Sequence, residues 1–328
     1  MSPKKILIIL LNSNGDCLYG TVIAKQIKEV DYPGCHLTWA INNRCKQSII
    51  NNPGIDAIWE VETQKTLTDI DEWNAFLKLA NQKKKEGVFD EIFCLQIQGD
   101  NILKFDGGIR SSIYKNYPHP VTVIQQPEIY LYPEEVDRVA TFASKHNLSH
   151  YNNVVLIECG PESFSSKLHP DSIMPVLEAI IQNNSSIAFI LSSNKKITHS
   201  NYQIIDGSEL SFRENAALTK YCHLFIGCSS GITWLTTTQW AKELPKVILT
   251  NPKDFYSSSF IHDQRYASLP INNVIEIQTG KNDLTILKDI ISLFTQNNFA
   301  QAKNTYHTEF VLQNFKFVYR ICRGLIMR

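Results

Sequence analysis

Near its start the chain reads Ile6-Leu-Ile-Ile-Leu-Leu-Asn-Ser-Asn-Gly-Asp-Cys-Leu-Tyr19. An apolar run without alternation predicts a strand that is buried on both faces, as in a parallel sheet. The small polar residues from Asn12 to Gly15 predict a turn, with Gly15 the residue that most easily adopts a positive φ. Apolar residues then recur at helical spacing from Leu18 to Val30. A strand, a turn and a helix in this order begin a doubly wound unit, in which ligands bind at the carboxyl ends of the strands.

Asp16 stands where this predicted helix begins, and two interpretations of it stay open. Asp is a favoured N-cap residue, worth about 0.5–2 kcal/mol relative to Ala. The same position makes Asp16 available as a base, because a helix N-terminus favours the ionised carboxylate. Such a carboxylate is only weakly basic, which suits removal of a proton from a hydroxyl while a bond forms to its oxygen. We therefore expect Asp16 at the mouth of a ligand site.

The composition limits the class of protein. The 328 residues are enough for two domains, and 43% of them are apolar, enough for a large core. Lys plus Arg and Asp plus Glu both number 32, so the chain lacks the basic excess that a general nucleic-acid binder needs. The eight cysteines have none of the short spacings of a zinc site, which predicts reduced thiols in a cytosolic protein. The first apolar run is too short for a membrane span and lacks a signal-peptide pattern, so we expect a cytoplasmic protein.

Strand and helix patterns alternate along the chain, which predicts α/β architecture with parallel sheets. A second series begins after residue 150. We therefore predict two doubly wound, Rossmann-like domains facing across a cleft, one in residues 1–150 and one in residues 151–300. Residues 301–328 predict an amphipathic C-terminal helix with a basic face. That helix either packs on the body of the protein or contacts an anionic membrane surface through its basic face.

A second strand, loop and helix unit lies near residue 230. A predicted strand ends at Gly227, and Ser229, Ser230 and Gly231 precede a helix. Small residues let backbone N–H groups approach an anion, and a helix N-terminus favours negative charge, so a phosphate or diphosphate is the natural ligand. An ordinary helix cap is the other interpretation.

The loop after the first strand of the second domain runs from Glu158 to His169. Ser163 and Lys167 within it are candidates to contact phosphate oxygens, Lys167 as a point charge. A solvated surface loop is the alternative.

Arg213 is a further candidate nucleotide ligand. Its neighbours Ser211 and Glu214 have the spacing of a capping box, which explains Glu214 structurally. The histidines of the chain are scattered without metal-ligand spacing, so we expect no metal site.

Three of these loops together resemble the bacterial heptosyltransferases, family 9 of the glycosyltransferases. Members begin with a strand and a turn that ends in Gly-Asp, here Ser13-Asn14-Gly15-Asp16. The family's proposed catalytic base is this Asp, so the resemblance implies that role for Asp16. A Lys in the loop that opens the second domain contacts donor phosphate in the family, and Lys167 matches it.

The third matching loop is the family motif Gly-x-Asp-Ser/Thr-Gly-x-x-His, which binds the diphosphate and sugar of the donor. Here it reads Gly227-Cys-Ser-Ser-Gly-Ile-Thr-Trp234. Ser230 and Gly231 match the motif, while Ser229 replaces the Asp and Trp234 replaces the His.

The resemblance implies the two-domain glycosyltransferase-B fold and an inverting, metal-independent transfer with no further cofactor. The second domain would hold a nucleotide diphosphate sugar donor, and the first would present a saccharide or lipid-linked glycan acceptor. The C-terminal helix would cross back onto the first domain. We thus expect a hexosyl- or heptosyltransferase of lipopolysaccharide or capsule biosynthesis, in the cytoplasm or at the inner face of the cell membrane.

Two other functions stay open. A sugar-nucleotide epimerase of the same fold would need further acid and base groups around the sugar. A non-catalytic nucleotide-binding subunit would fit the exchanges at Ser229 and Trp234, whereas the retained Asp16 speaks against it. Nucleotide binding without turnover would favour the non-catalytic subunit.

Overall fold

The computed structural model of this chain describes residues 2–62, 70–106, 108–159, 168–251, 259–278 and 283–309. These residues fall into two compact units, which we describe separately. Unit 1 holds the described residues of Met1–Tyr130 together with Tyr266–Ser268. Unit 2 holds those of Leu131–Arg265 and Leu269–Phe310.

Unit 1 is built on a parallel sheet. Its described strands are β1 (Lys5–Ile9), β2 (His36–Asn42), β3 (Ala57–Val61) and β4 (Glu91–Cys94). They lie in the order β3-β2-β1-β4. The described α-helices are α1 (Asn14–Gln26), α2 (Ile70–Lys85) and α3 (Ile109–Lys115).

Helices cover both faces of this sheet, which explains the unbroken apolar run of β1. On one face, Leu7 and Ile9 pack in a cluster with Trp73 and Phe76 of α2. On the other face α1 lies so close that a Cβ atom at Gly20 would come within 2.6 Å of both the Leu10 and Trp39 side chains. Gly20 thus permits the close contact between α1 and the sheet.

Unit 2 is built on a larger parallel sheet. Its described strands are β5 (Asn153–Glu158), β6 (Ile187–Ser192), β7 (Ile204–Asp206), β8 (Leu224–Cys228), β9 (Lys246–Thr250) and β10 (Val274–Gln278). They lie in the order β10-β9-β8-β5-β6-β7. The described α-helices are α4 (Pro133–Lys145), α5 (Pro170–Ile181), α6 (Glu214–Leu218), α7 (Gly231–Leu235), α8 (Phe260–Tyr266), α9 (Asp283–Thr295) and α10 (Phe299–Tyr306).

The core of unit 2 lies between this sheet and helices α5, α9 and α10. Val155 and Ile157 of β5 belong to one apolar cluster with Leu177 of α5 and Ile290 of α9. The α/β class and the parallel sheets predicted from the sequence are confirmed.

The division between the units differs from the predicted one. It falls between Tyr130 and Leu131, before α4, instead of after residue 150. The reason is that α4 packs against α6 of unit 2, through ion pairs described below. Of the predicted C-terminal helix, the described part is α10, which packs on α9 and β10. Residues 307–309 are described and are not helical, and the rest of that prediction lies outside the described residues.

The strand orders place two candidate sites. In unit 1, β1 is followed in the chain by β2 on one side of it, while β4 lies on its other side. In unit 2, β5 and β8 are the corresponding neighbours. These are the points where the strand order reverses, and in open α/β sheets ligands bind at the carboxyl ends of the strands there.

Candidate functional site

The turn after β1 brings Asp16 to the first of these points. Helix α1 begins at Asn14, so Asp16 lies in its first turn and is partly exposed. The residue before the helix is Ser13, whose side chain makes no capping hydrogen bond. Asp16 is therefore not the N-cap residue, although the helix dipole still favours its charge.

The positive φ in this turn is at Ser13 instead of at Gly15. Ser13 has φ +70°, whereas Gly15 is buried within α1. A positive φ is unfavourable for a residue with a Cβ atom, and such strained residues cluster at functional sites. The prediction of a turn is right, and the residue predicted to carry the unusual angle is wrong.

Gln96 joins this turn to the neighbouring strand. It follows β4 and is only 3% exposed. Its side-chain Oε1 accepts hydrogen bonds from the backbone N–H groups of Leu11 and Asn12, both at 3.0 Å. Its Nε2 lies 3.5 Å from Oδ2 of Asp16. One buried amide thus holds the backbone of the turn and approaches the carboxylate.

The other side of the turn is also fixed. The Ser48 hydroxyl donates to Oδ1 of Asn14 at 3.0 Å, so the segment Asn43–Ser48 packs against the start of α1. Below the turn, burial raises the pKa of the Cys17 thiol, and the neighbouring Cys45 and Asp16 raise it further. The thiol of Cys17, next to Asp16 in the chain, is therefore neutral.

The second point, in unit 2, is centred on the buried carboxylate of Glu158 at the end of β5. Glu158 is 3% exposed. Its Oε1 accepts from the Ser230 hydroxyl, and its Oε2 accepts from the Thr233 hydroxyl at 3.0 Å. The backbone N–H of Cys228 donates to the same Oε2 at 3.3 Å. Burial raises the pKa of Glu158, an effect that these hydrogen bonds oppose.

The residues predicted to bind a diphosphate lie directly above this carboxylate. Ser229, Ser230 and Gly231 follow β8 and are all partly exposed. The N–H of Ser230 donates to the carbonyl of Cys228, which closes the turn. Glu158 and this loop meet because β5 and β8 are neighbouring strands.

Trp234, which stands at the His position of the donor-binding motif, is a core residue. It is 3% exposed and stacks on Phe260 with ring centroids 4.8 Å apart. The stack packs α7 against α8.

Arg213 also lies away from solvent. It is 2% exposed and forms a two-point ion pair with Glu135 of α4, with nitrogen–oxygen distances of 2.7 and 3.0 Å. The structure thus directs its guanidinium to Glu135. The capping box beside it is confirmed, because the N–H of Ser211 donates to Oε2 of Glu214 at 2.7 Å.

Two predicted donor ligands, Ser163 and Lys167, lie outside the described residues. Within the described residues, no group of three or more His, Cys, Asp or Glu side chains is arranged to hold a metal ion. Among the helices of the same residues, none is long and apolar enough to span a membrane.

Sequence reasoning missed Gln96 and the role of Glu158. The only signal for either was its position at or just after the end of an apolar strand. Each acts on a loop that is 70 or more residues away in the chain, so neither contact has a local pattern.

The fold is shared with glycosyltransferases of known structure. A glycosyl transferase of family 9 from Veillonella parvula superposes with a TM-score of 0.58 at 16% identity, covering 89% of each chain. ADP-heptose lipopolysaccharide heptosyltransferase II of E. coli gives 0.56 at 13% identity, covering 89% of this chain and 99% of the other. E. coli heptosyltransferase WaaC with ADP gives 0.51 at 12% identity, covering 90% and 99%. No family model matches the chain, and no curated protein is similar to it in sequence.

Proposed function

We propose that this chain is a glycosyltransferase that moves a sugar from a nucleotide diphosphate sugar to a glycan acceptor of lipopolysaccharide or capsule. The observation that carries the proposal is the shared fold, which extends over about nine tenths of this chain. Fold alone does not determine chemistry. The position of Asp16 at a strand-order reversal, partly exposed and beside Gln96, adds a group suited to it.

The proposed reaction assigns one step to each site. A carboxylate oxygen of Asp16 takes the proton of the acceptor hydroxyl while that oxygen bonds to the anomeric carbon of the donor. The bond from the anomeric carbon to the diphosphate breaks, and the diphosphate leaves with the electron pair. This displacement inverts the anomeric centre. The leaving diphosphate is held in unit 2, where the residues predicted from the sequence, Ser229, Ser230, Gly231 and Lys167, are the candidate ligands.

The proposal includes a division of roles and a location. The unit that carries Asp16 presents the acceptor, and the unit that carries Ser229 holds the nucleotide sugar. The reaction takes place in the cytoplasm or at the inner face of the cell membrane, where the basic residues after 310 contact anionic lipid. No metal ion and no further cofactor takes part.

The first test is a thermal-shift screen of the full chain against ADP, GDP, UDP, CMP and their common sugar conjugates. A ligand at about 100 times its dissociation constant adds roughly 2.7 kcal/mol of stability. We expect one nucleotide and its conjugates to stabilise the chain. If no nucleotide does so, the proposal is wrong.

The second test is transfer by Asp16→Asn with the donor so identified. Because the base is lost, we expect the rate to fall by about 10²–10⁴-fold while the donor still binds. The matched control is Asp171→Asn, which changes an exposed Asp in the first turn of α5. EDTA should leave the rate of the unchanged chain intact. Near-normal turnover by Asp16→Asn, or a strict need for added metal, would contradict the mechanism.

A further inference from the structure

The hydroxyl of Ser230 has a fixed partner on its protein side. It donates to Oε1 of Glu158, whose carboxylate is buried at the end of β5. The other oxygen of the same carboxylate is engaged by the Thr233 hydroxyl and by the Cys228 N–H. Ser230 itself remains partly exposed, so its oxygen can still contact a ligand.

This arrangement determines what kind of ligand atom Ser230 can contact. A serine hydroxyl has one proton and two lone pairs. Once the proton is given to Glu158, the oxygen can only accept a further hydrogen bond. The oxygens of a diphosphate are themselves acceptors, so Ser230 cannot bond to them. A hydroxyl group is the complementary partner.

We propose that Glu158 is a positioning residue that makes Ser230 a hydrogen-bond acceptor. The group that donates to Ser230 is a hydroxyl of the bound nucleotide sugar, either on the ribose or on the transferred sugar. This inference rests on the proposed function. Ser230 then selects a polyhydroxylated ligand and is not a phosphate ligand. This assignment replaces the phosphate contact that the sequence predicts for Ser230, and it leaves Ser229 as the exposed serine available to a phosphate.

The test uses two probes that differ in hydroxyl content. One is the nucleoside diphosphate among ADP, GDP, UDP and CDP that binds the unchanged chain, measured by calorimetry. The other is inorganic pyrophosphate, which has no carbohydrate hydroxyl, measured by its displacement of that nucleotide or its sugar conjugate. The variants are Ser230→Ala, its matched neighbour Ser229→Ala, and Glu158→Gln.

We expect Ser230→Ala to weaken the nucleotide or its sugar conjugate about three- to tenfold, the usual worth of one hydrogen bond. Its affinity for pyrophosphate should stay within twofold of the unchanged chain. Glu158→Gln places a side-chain N–H donor beside Ser230, which frees the serine proton, so pyrophosphate should bind more tightly. If Glu158→Gln does not fold, the comparison of the two serine variants decides the question alone.

Three results would overturn the inference. A loss of tenfold or more in the pyrophosphate affinity of Ser230→Ala would show that Ser230 is a phosphate ligand. Unchanged affinity of Ser230→Ala for nucleotide, conjugate and pyrophosphate would remove Ser230 from the site. In both cases the unchanged chain binds nucleotide and the proposed function stands. Binding of no nucleotide by the unchanged chain would instead overturn the proposed function and this inference with it.

Discussion

At the scale of single residues, Gln96 is the side chain that fixes the position of the turn carrying Asp16. Its Oε1 accepts from two backbone N–H groups, those of Leu11 and Asn12. In Gln96→Leu the side chain keeps a similar volume but both donors lose their partner. An unsatisfied buried donor costs about 1–3 kcal/mol. Leu11 is buried, whereas the partly exposed Asn12 can turn to water. We therefore expect a loss of free energy of unfolding in the range for one donor, measured by urea titration.

The matched control is Gln82→Leu, because Gln82 is exposed and its amide donates to Glu86, the residue that follows α2. The two variants should differ clearly in stability. Transfer by Gln96→Leu should also fall, because the turn then no longer holds Asp16 in place. A Gln96→Leu chain as stable as the control would show that the turn keeps its conformation without this amide.

The position of Asp16 at the start of a helix was predictable from the sequence. Strand, turn and helix follow one another there within twenty residues, so the whole signal is local. Gln96 and Glu158 have no such signal. They reach their partners across 80 and 72 residues, and only the order of the strands brings them together. The ion pair of Arg213 has no local signal either. Its local sequence suggested a nucleotide ligand, whereas its partner Glu135 lies 78 residues away.

At the scale of elements, the pair Arg213–Glu135 fastens α4 to the segment before α6. Both side chains are nearly buried, with 2% and 8% of their side-chain area exposed. Arg213→Ala leaves the Glu135 carboxylate buried without its cation. Breaking a buried pair on one side costs about 3–5 kcal/mol. We expect a loss of this order in the free energy of unfolding, followed by circular dichroism during urea titration.

Lys145→Ala is the control for this prediction, since Lys145 of α4 pairs with Glu209 and both side chains are exposed. Its effect on stability should be smaller than that of Arg213→Ala. Nucleotide affinity, measured on whatever folded fraction remains, should be the same for both variants. Selective loss of nucleotide affinity in Arg213→Ala would restore Arg213 as a ligand.

Elements were predictable where one physical pattern dominates. The apolar run of β1 and the helical spacing of α1 gave both elements nearly at their observed bounds. The small helix α3 (Ile109–Lys115) was not predicted, because it lies in a stretch rich in Gly and Pro. There the serine hydroxyls of α3 and the carboxylate of Asp106 form bonds that compete with any simple periodic pattern.

At the scale of the whole molecule, alternating strands and helices were enough to predict two parallel α/β units. The boundary was not predictable in the same way. Helix α4 belongs to unit 2 although it precedes the first strand of that unit in the chain, because Glu135 and Arg138 pair with residues beyond β7. Side-chain contacts of this kind decide to which unit a helix belongs, and the hydrophobic pattern alone does not contain them.

The stability of the molecule should depend on pH through Glu276, another of the buried carboxylates in unit 2. Glu276 lies on β10 and is 1% exposed. It accepts from the Ser259 hydroxyl at 2.7 Å and from the N–H of Phe260 at 3.1 Å. Burial raises the pKa of Glu276 from 4.5 to about 7, against the effect of these hydrogen bonds.

The sign of this pH dependence follows from proton binding. Between pH 4.5 and about 7 the folded chain holds a proton on Glu276 that the unfolded chain has lost. Stability from this group therefore falls as pH rises through that window, by about 3 kcal/mol in total. Glu276→Gln removes the titration, so its free energy of unfolding should change less between pH 5 and pH 7.5 than that of the unchanged chain. Glu134→Gln, at an exposed position in α4, is the control and should keep the full dependence. Equal pH dependence in all three chains would mean that Glu276 stays ionised in the folded protein throughout, with its hydrogen bonds outweighing its burial.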